Sequence, residues 1–443
     1  MRTRSFRMAA AASTVTLSLV LVGCGSGSGG QDKNKADGPV TLEWWSWDEP
    51  KLLQPIVDKF NSTHDDVRLK LVKQTDSAGA AQNVRNVVAS GKGVPCLVKN
   101  FGEIPGLAGE GLLTDITKEL EPHLDKFNKV APPAVRAGGA YYGIPTGFNP
   151  TFFMINRKVY DKYGVDVPKT WDDVIAAGKK LKKHGVQIMN LAGEDPSTLV
   201  NLVQQAGGTW YKEQGDTWKV DFLSPESLKA ADIVQQLVDN DLVANQTYQD
   251  RPALIAYFDS GKMVSLPTQT WQLRNYEIND KKSLGDWQPV DLPQFAGAPF
   301  TTPAHLANAG MLVPKGCAHV KEAVEAGVWM LTDKAGIDAS YQKDTKQYNW
   351  PGAVKDVTPW VDSVVPEKLF GPHKSEARGV ILKAFEHAKD SWTVGPNYTG
   401  VFAELQDQWA KIVTKKITVK AALQHMQEFT VRDLKSKNIN VEG

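Results

Sequence analysis

Neither sign of charge is in excess in this sequence: 51 Lys+Arg stand against 50 Asp+Glu over 443 residues. That leaves no basic field to hold nucleic acid phosphates. Cysteine is nearly absent, with Cys24, Cys96 and Cys317 the whole complement, too few for a disulfide framework. Cys96 and Cys317 are expected as buried free thiols, with pairing between them left open. No stretch after the first thirty residues reaches the ~18 uninterrupted apolar residues of a membrane span. Catalytic signatures are missing too: there is no G-x-S-x-G, H-E-x-x-H or C-x-x-C. The S-x-x-K match at Ser340 and Lys343 lacks its companion motifs and reads as chance. Eight scattered His show no metal spacing, and no cofactor is implied.

What is present is an ordinary globular composition, 42% hydrophobic and 23% charged, which excludes wholesale disorder. The length suggests two or three domains at ~100–200 residues each. Thirteen Trp are unusual and need a role in packing or recognition.

The first thirty residues have a different character. Arg2, Arg4 and Arg7 precede an apolar run over 8–22, too short for a stable span. It ends in Leu21-Val22-Gly23-Cys24, which resembles the bacterial lipobox, cleaved before a Cys that carries diacylglycerol. Residues 1–23 are therefore expected as a lipoprotein signal peptide and 24–38, opening with GSGSGG, as a flexible tether. The G-x-G-x-x-G inside that tether has no strand before it and no helix after it, so a dinucleotide reading fails.

The mature chain alternates strands and helices. Strands are predicted at 40–45, 67–72 and 94–99, with helices at 51–61 (Leu52, Ile56, Val57 and Phe60 inward) and 77–90 between them. This β-α-β-α-β order implies a mainly parallel sheet covered on both faces. A second set follows, with strands at 152–156, 186–191 and 262–266. Thr170 and Asp173 read as a capping box, and Ser224-Pro225 as the start of a helix to 239. Further helices are predicted at 322–331, 376–389, 397–413 and 418–434. Trp171, Trp329 and Trp409 fall inside helical patterns and are assigned to the core. Two such α/β units suggest a cleft, because open parallel sheets bind ligands beyond the carboxyl ends of their strands.

From about 40 to 431 the chain resembles the maltose/oligosaccharide-binding family of ABC-importer solute-binding lipoproteins, of the Gram-positive type. The resemblance rests on YGIP from Tyr142, FFMIN from Phe152, VYDKYG from Val159, VPKTWDD from Val167 and QAGG from Gln205. It continues with SGKM from Ser260, Trp271, LVPK from Leu312, LFGPH from Leu369 and WTVGP from Trp392. Each is loose alone; order and spacing give the match its weight. The resemblance implies an α/β, two-lobed solute-binding-protein fold, each lobe a mainly parallel sheet flanked by helices. Three crossings between lobes are expected near 146–149, 303–308 and 343–350. Lobe 1 would be 39–147 plus 308–343, and lobe 2 would be 148–307 plus 344–443. The implied function is capture of a small neutral oligosaccharide and its delivery to permease subunits served by a cytoplasmic ATPase. The implied state is a monomer on the outer face of the cytoplasmic membrane, held through Cys24 alone.

Pyranose rings present apolar faces and a rim of hydroxyls, so a sugar site needs aromatic platforms and polar partners. Trp47 and Asp48 follow the first strand, as stacker and acceptor; the alternative is a Trp packed under the first helix with Asp48 as its N-cap. Asn100 ends the third strand, where an ordinary turn role competes. Phe148 and Asn149 lie on the first crossing, where hinge packing is the alternative. Trp271 closes a polar loop at a frequent stacking position of the family. Phe370 and His373 match a cleft-lining loop of the family, Phe370 as stacker and His373 as hydroxyl partner or plain surface His. Asn308 and Trp392 complete the set, Trp392 with turn packing as its alternative. The rival functions are a secreted glycoside hydrolase-like enzyme, which needs only two opposed carboxylates, and the same fold carrying another polar solute. An anionic cargo would call for an Arg pair, and none of these candidates is Arg.

Overall fold

The structure is a computed structural model describing residues 38–304, 309–343, 346–389 and 392–443. The expected signal peptide, Cys24 and Asn308 lie outside the described residues.

Val40–Ser46 alternates as its sequence demands. Leu42 and Trp44 turn to one face and Trp45 to the other, and each set finds its own core. The strand pairs parallel with Val67–Lys73 and Leu97–Phe101. Ala309–Leu312 then adds antiparallel to Leu97–Phe101, and Gly143–Pro145 antiparallel to Ala309–Leu312, closing a five-stranded sheet. One face is covered by the helices Pro50–Thr63 and Val320–Thr332, the other by Ser77–Ser90. Leu53, rather than Leu52, joins Ile56, Val57 and Phe60 on the buried stripe of the first helix. Ser77–Ser90 stops at Gly91, which takes the left-handed conformation the sequence reserved for it.

The second lobe is built around Thr151–Asn156, all six residues buried. Phe152 and Met154 enter one core, Phe153 and Ile155 the other. Both neighbours, Ser265–Gln269 and Trp287–Val290, run antiparallel to it. Parallel pairing therefore holds for the first three strands of the first lobe and, in the second, for Val243–Ala244 beside Met189–Asn190 and the bridge of Gln187 to Met263, but not around Thr151–Asn156. The reason is the route of the chain. Thr151–Asn156 and Ala309–Leu312 enter their lobes from the neighbouring lobe, so they run opposite to strands that end at the cleft. The strand expected over 186–191 shrinks to Met189–Asn190, paired with Val243–Ala244. Thr170 and Asp173 form the capping box of Trp171–Lys182, and Ser224 caps Pro225–Asp239. Trp171 and Trp409 are core residues, donating to Gln205 Oε1 and the Ala192 carbonyl, whereas Trp329 is partly buried against the first lobe's core.

The expectation of free thiols is corrected: Cys96 and Cys317 form a disulfide, with Cα atoms 5.0 Å apart and a separation of 221 positions in sequence. Cys96 precedes Leu97–Phe101, and Cys317 follows the antiparallel strand Ala309–Leu312 that lies beside it. This pairing depends on a strand returning from the other lobe, which no local spacing reveals.

Candidate functional site

Backbone meets backbone where the chain passes between lobes. Gly147 has φ +82°, and a Cβ there would fall 2.0 Å from the Gly352 carbonyl; a Cβ on Gly352 would fall 2.2 Å from the Phe148 oxygen. The Phe148 N–H donates to the Gly352 carbonyl at 3.3 Å, and the Trp350 indole N–H donates to the Phe148 carbonyl at 2.9 Å. Asn128, buried, donates its Nδ2–H to Gly352 O (2.7 Å) and Ala353 O (3.0 Å). Its Oδ1 accepts the N–H groups of Val130 and Ala131.

Beside these crossings lies a cavity of about 730 Å³, the size of a small-molecule site. Trp47, Asp48, Phe148, Asn149 and Trp271 all line it. Trp47 and Asp48 follow the first strand, and Trp271 opens the helix Thr270–Asn279 directly after Ser265–Gln269. Trp271 is 47% exposed, a large apolar face turned to solvent. Its indole N–H donates to Gln269 Oε1 at 2.6 Å, which fixes the ring. Asn149 Oδ1 accepts from the Thr270 hydroxyl at 2.8 Å. Asp48 is not the helix N-cap; that position is Glu49. Instead the Asp48 carboxylate accepts from Lys99 Nζ at 2.5 Å and from the Ser46 hydroxyl at 3.1 Å. Lys99 also sits 4.8 Å from the Trp47 ring centroid, so one face of that indole is already covered by a cation. Phe148 lines the cavity but stacks on Phe385, centroids 5.0 Å apart, and so serves hinge packing as well.

Four candidates go elsewhere. Phe370 is fully buried in the second lobe's core with Phe152 and Leu369, so neither ring face is open to a sugar. His373 pairs with Glu376 Oε1 at 3.0 Å at the head of Lys374–Glu386 and does not line the cavity. Trp392 packs edge-on against Trp210 at 5.1 Å, the turn-packing role. Asn100 is fully buried; its Oδ1 accepts the Glu103 N–H in a local turn, and it does not line the cavity. Reading the sequence missed Trp44, Lys99, Gln269 and Trp350, all of which line the cavity. Trp350 sat at the end of the third expected crossing, and Lys99 was a lone cation within a strand, so both left a signal.

A second cavity of about 770 Å³ lies between Glu103, Gly138 and Tyr142 on one side and Glu213, Trp218 and Asn397 on the other. The lobes touch here: the Gly138 N–H donates to Glu213 Oε1 at 3.1 Å, and the Tyr398 ring lies 2.4 Å from where a Gly102 Cβ would stand. Its cations are already held, Arg85 by Glu110 through Nε (2.8 Å) and a terminal nitrogen (2.7 Å), and Lys437 by Asp433 at 2.8 Å. Burial holds the Glu103 carboxyl above the ordinary range, against the pull of Arg85 at 3.6 Å. The 730 Å³ cavity, with exposed aromatic surface and polar groups at strand ends, is the better ligand site.

A two-lobed fold with a cleft at its crossings defines a class of ligand-capturing proteins. Residues 44–337 match the bacterial extracellular solute-binding protein family, and the chain belongs to it. It is 25% identical over 294 residues to an arabinooligosaccharide-binding protein of Halalkalibacterium halodurans, spanning 64% of this chain and 65% of that relative. It is 23% identical over 301 residues to a lactose-binding protein of Rhizobium radiobacter, spanning 65% and 69%. The fold is similar to that of the galacto-N-biose/lacto-N-biose I-binding protein of Bifidobacterium longum: TM-score 0.79, 24% identity, 92% of this chain and 100% of that one. The cyclic α-maltosyl-1,6-maltose binding protein of Arthrobacter globiformis gives a TM-score of 0.69 at 18% identity, over 88% and 98%. Among the described residues no helix is long and apolar enough to cross a membrane.

Proposed function

We propose that the chain captures a small neutral oligosaccharide between its lobes and hands it unaltered to the permease of an ABC importer. The observation that carries this is the composition of the 730 Å³ cavity: Trp47 and Trp271 as aromatic surfaces, amides and hydroxyls around them, and a charge pair that neutralises itself. A neutral polyol suits such a wall, because each platform dries the hydroxyl bonds beside it. The sugar-binding relatives support the same cargo. Among the described lining residues Asp48 is the single carboxylate, and Lys99 holds it. That supports binding without turnover, since glycoside hydrolysis needs two carboxylates. Lobe 1 comprises 39–147 and 308–343, lobe 2 comprises 148–307 and 344–443, and the protein acts as a monomer. Diacylglycerol on Cys24 holds it at the outer face of the cytoplasmic membrane, on the tether at 24–38. Two acyl chains supply the anchoring strength one lacks.

Calorimetry of the mature protein against di- to tetrasaccharides tests the reading. Saturable binding of at least one, recovered intact, is expected; no binding, or shortened sugar, would overturn it. Mass spectrometry tests the anchor, which fails if Cys24 is unmodified.

A further inference from the structure

Six lysines gather on one face of the second lobe. Lys179, Lys180 and Lys182 close the helix Trp171–Lys182, and Lys183 is its cap residue. Lys415 and Lys416 follow the helix Tyr398–Val413. All six are exposed. The two helix ends meet at the loop after Pro225–Asp239, where the Asp241 carboxylate binds both Lys182 (3.3 Å) and Lys415. Lys182 also donates to the Asn240 carbonyl at 2.8 Å, and Lys415 to that of Asp239 at 3.5 Å. Six cations thus stand beside two carboxylates, Asp239 and Asp241, in a chain whose net charge is only +1. Helix stability alone does not ask for this. One basic residue in a last turn answers the helix dipole. Lys179 with Lys182 and Lys183, and Lys180 with Lys183, are like charges at neighbouring helical positions, which repel. Lys415 takes φ +58° where glycine is the usual residue, and Asp241 takes φ +52°. Among the described residues Lys179, Lys180, Lys183 and Lys416 make no ion pair. None of the six lines either cavity.

Resting on the reading of Cys24 as a lipid anchor, we infer that this lysine face lies against anionic phospholipid headgroups and sets how the tethered protein sits on its membrane. Ammonium groups on long flexible stems suit a fluid layer of phosphates, which offers charge without fixed geometry. A protein partner fits less well, because protein interfaces favour arginine and aromatic anchors and are poor in lysine. The contact can be weak by itself. Residues 24–38 span at most about 50 Å, so an anchored chain keeps the face at a high local concentration of lipid.

Cosedimentation with vesicles tests this, using the mature chain with Cys24→Ser so that no acyl chain contributes. Vesicles of equal parts phosphatidylglycerol and phosphatidylcholine should bind it at least about tenfold better than phosphatidylcholine alone. Raising the salt from about 0.05 M to about 0.5 M should remove the difference. Lys180→Glu, Lys183→Glu and Lys416→Glu together should abolish it, with glutamine at the same positions should that variant not fold. The same charge change on the first lobe, Lys51→Glu, Lys59→Glu and Lys92→Glu, should leave it in place. Equal binding to both vesicles, or equal loss in the two triple variants, overturns the inference. Binding to host membranes but not to vesicles of their extracted lipids gives the face to a membrane protein and overturns it as well. None of these outcomes touches the sugar-binding reading, and the anchor has its own test in the mass of Cys24.

Discussion

Trp271 and Phe370 carry the same ring chemistry in opposite surroundings. Trp271 follows a strand that ends at the cleft, and its ring stays 47% exposed. Phe370 is enclosed by side chains from 152 to 384, a neighbourhood made of distant segments. Aromatic residues at strand ends were therefore legible, because a strand's carboxyl end marks the cleft. A ring in a short helix carried no such mark. Trp271→Ala should weaken every sugar by about tenfold or more while the urea midpoint stays near the parent's, read by calorimetry and denaturation. His373→Ala should leave the ranking of sugars unchanged, since its partner is Glu376 outside the cavity. Glu103 gives a pH test. Burial raises its carboxyl above the ~4.3 of a free glutamate, so the fold prefers the protonated form. That preference stabilises the protein below the unfolded value and is lost as pH rises through the folded one. Glu103→Gln should gain stability relative to the parent as pH rises above the range where a free glutamate titrates, read from urea midpoints at each pH.

At the scale of elements, the helices and first strands were legible from period and caps, as Thr170 with Asp173 shows. Strand direction in the second lobe and the pairing of Cys96 with Cys317 were not. Both depend on the chain returning between lobes, which is set by contacts across 221 residues. Gly147 and Gly352 carry the crossing itself. Gly352→Ala places a methyl against a backbone oxygen that no rotamer can move, so a loss of about 1–3 kcal/mol is expected from urea unfolding. Reducing the disulfide should cost the first lobe about 2–5 kcal/mol, seen as a lower midpoint with reductant present.

Across the whole molecule, the lobes meet at Gly138 with Glu213 and at Gly102 with Tyr398, at a second cavity apart from the one proposed to hold sugar. Contacts of this kind, two on opposite lobes, are what a hinge closing on ligand would make and break. Small-angle scattering should therefore show a smaller radius of gyration with a tight sugar than without, and identical curves would contradict hinge closure. The strand Ala309–Leu312 has a consequence of another kind. It lies between Leu97–Phe101 and Gly143–Pro145, yet it follows them in the chain by more than the length of the second lobe's first segment. During export the polypeptide emerges amino end first. The five-stranded sheet must then wait with its fourth strand missing, and the edge strand Gly143–Pro145 unjoined, while residues 148–304 pass. Only afterwards does the missing strand slot in, bringing Cys317 to Cys96. The first lobe to be synthesised is completed only after most of the second has emerged, and an export helper that shields an open sheet would matter most in that interval.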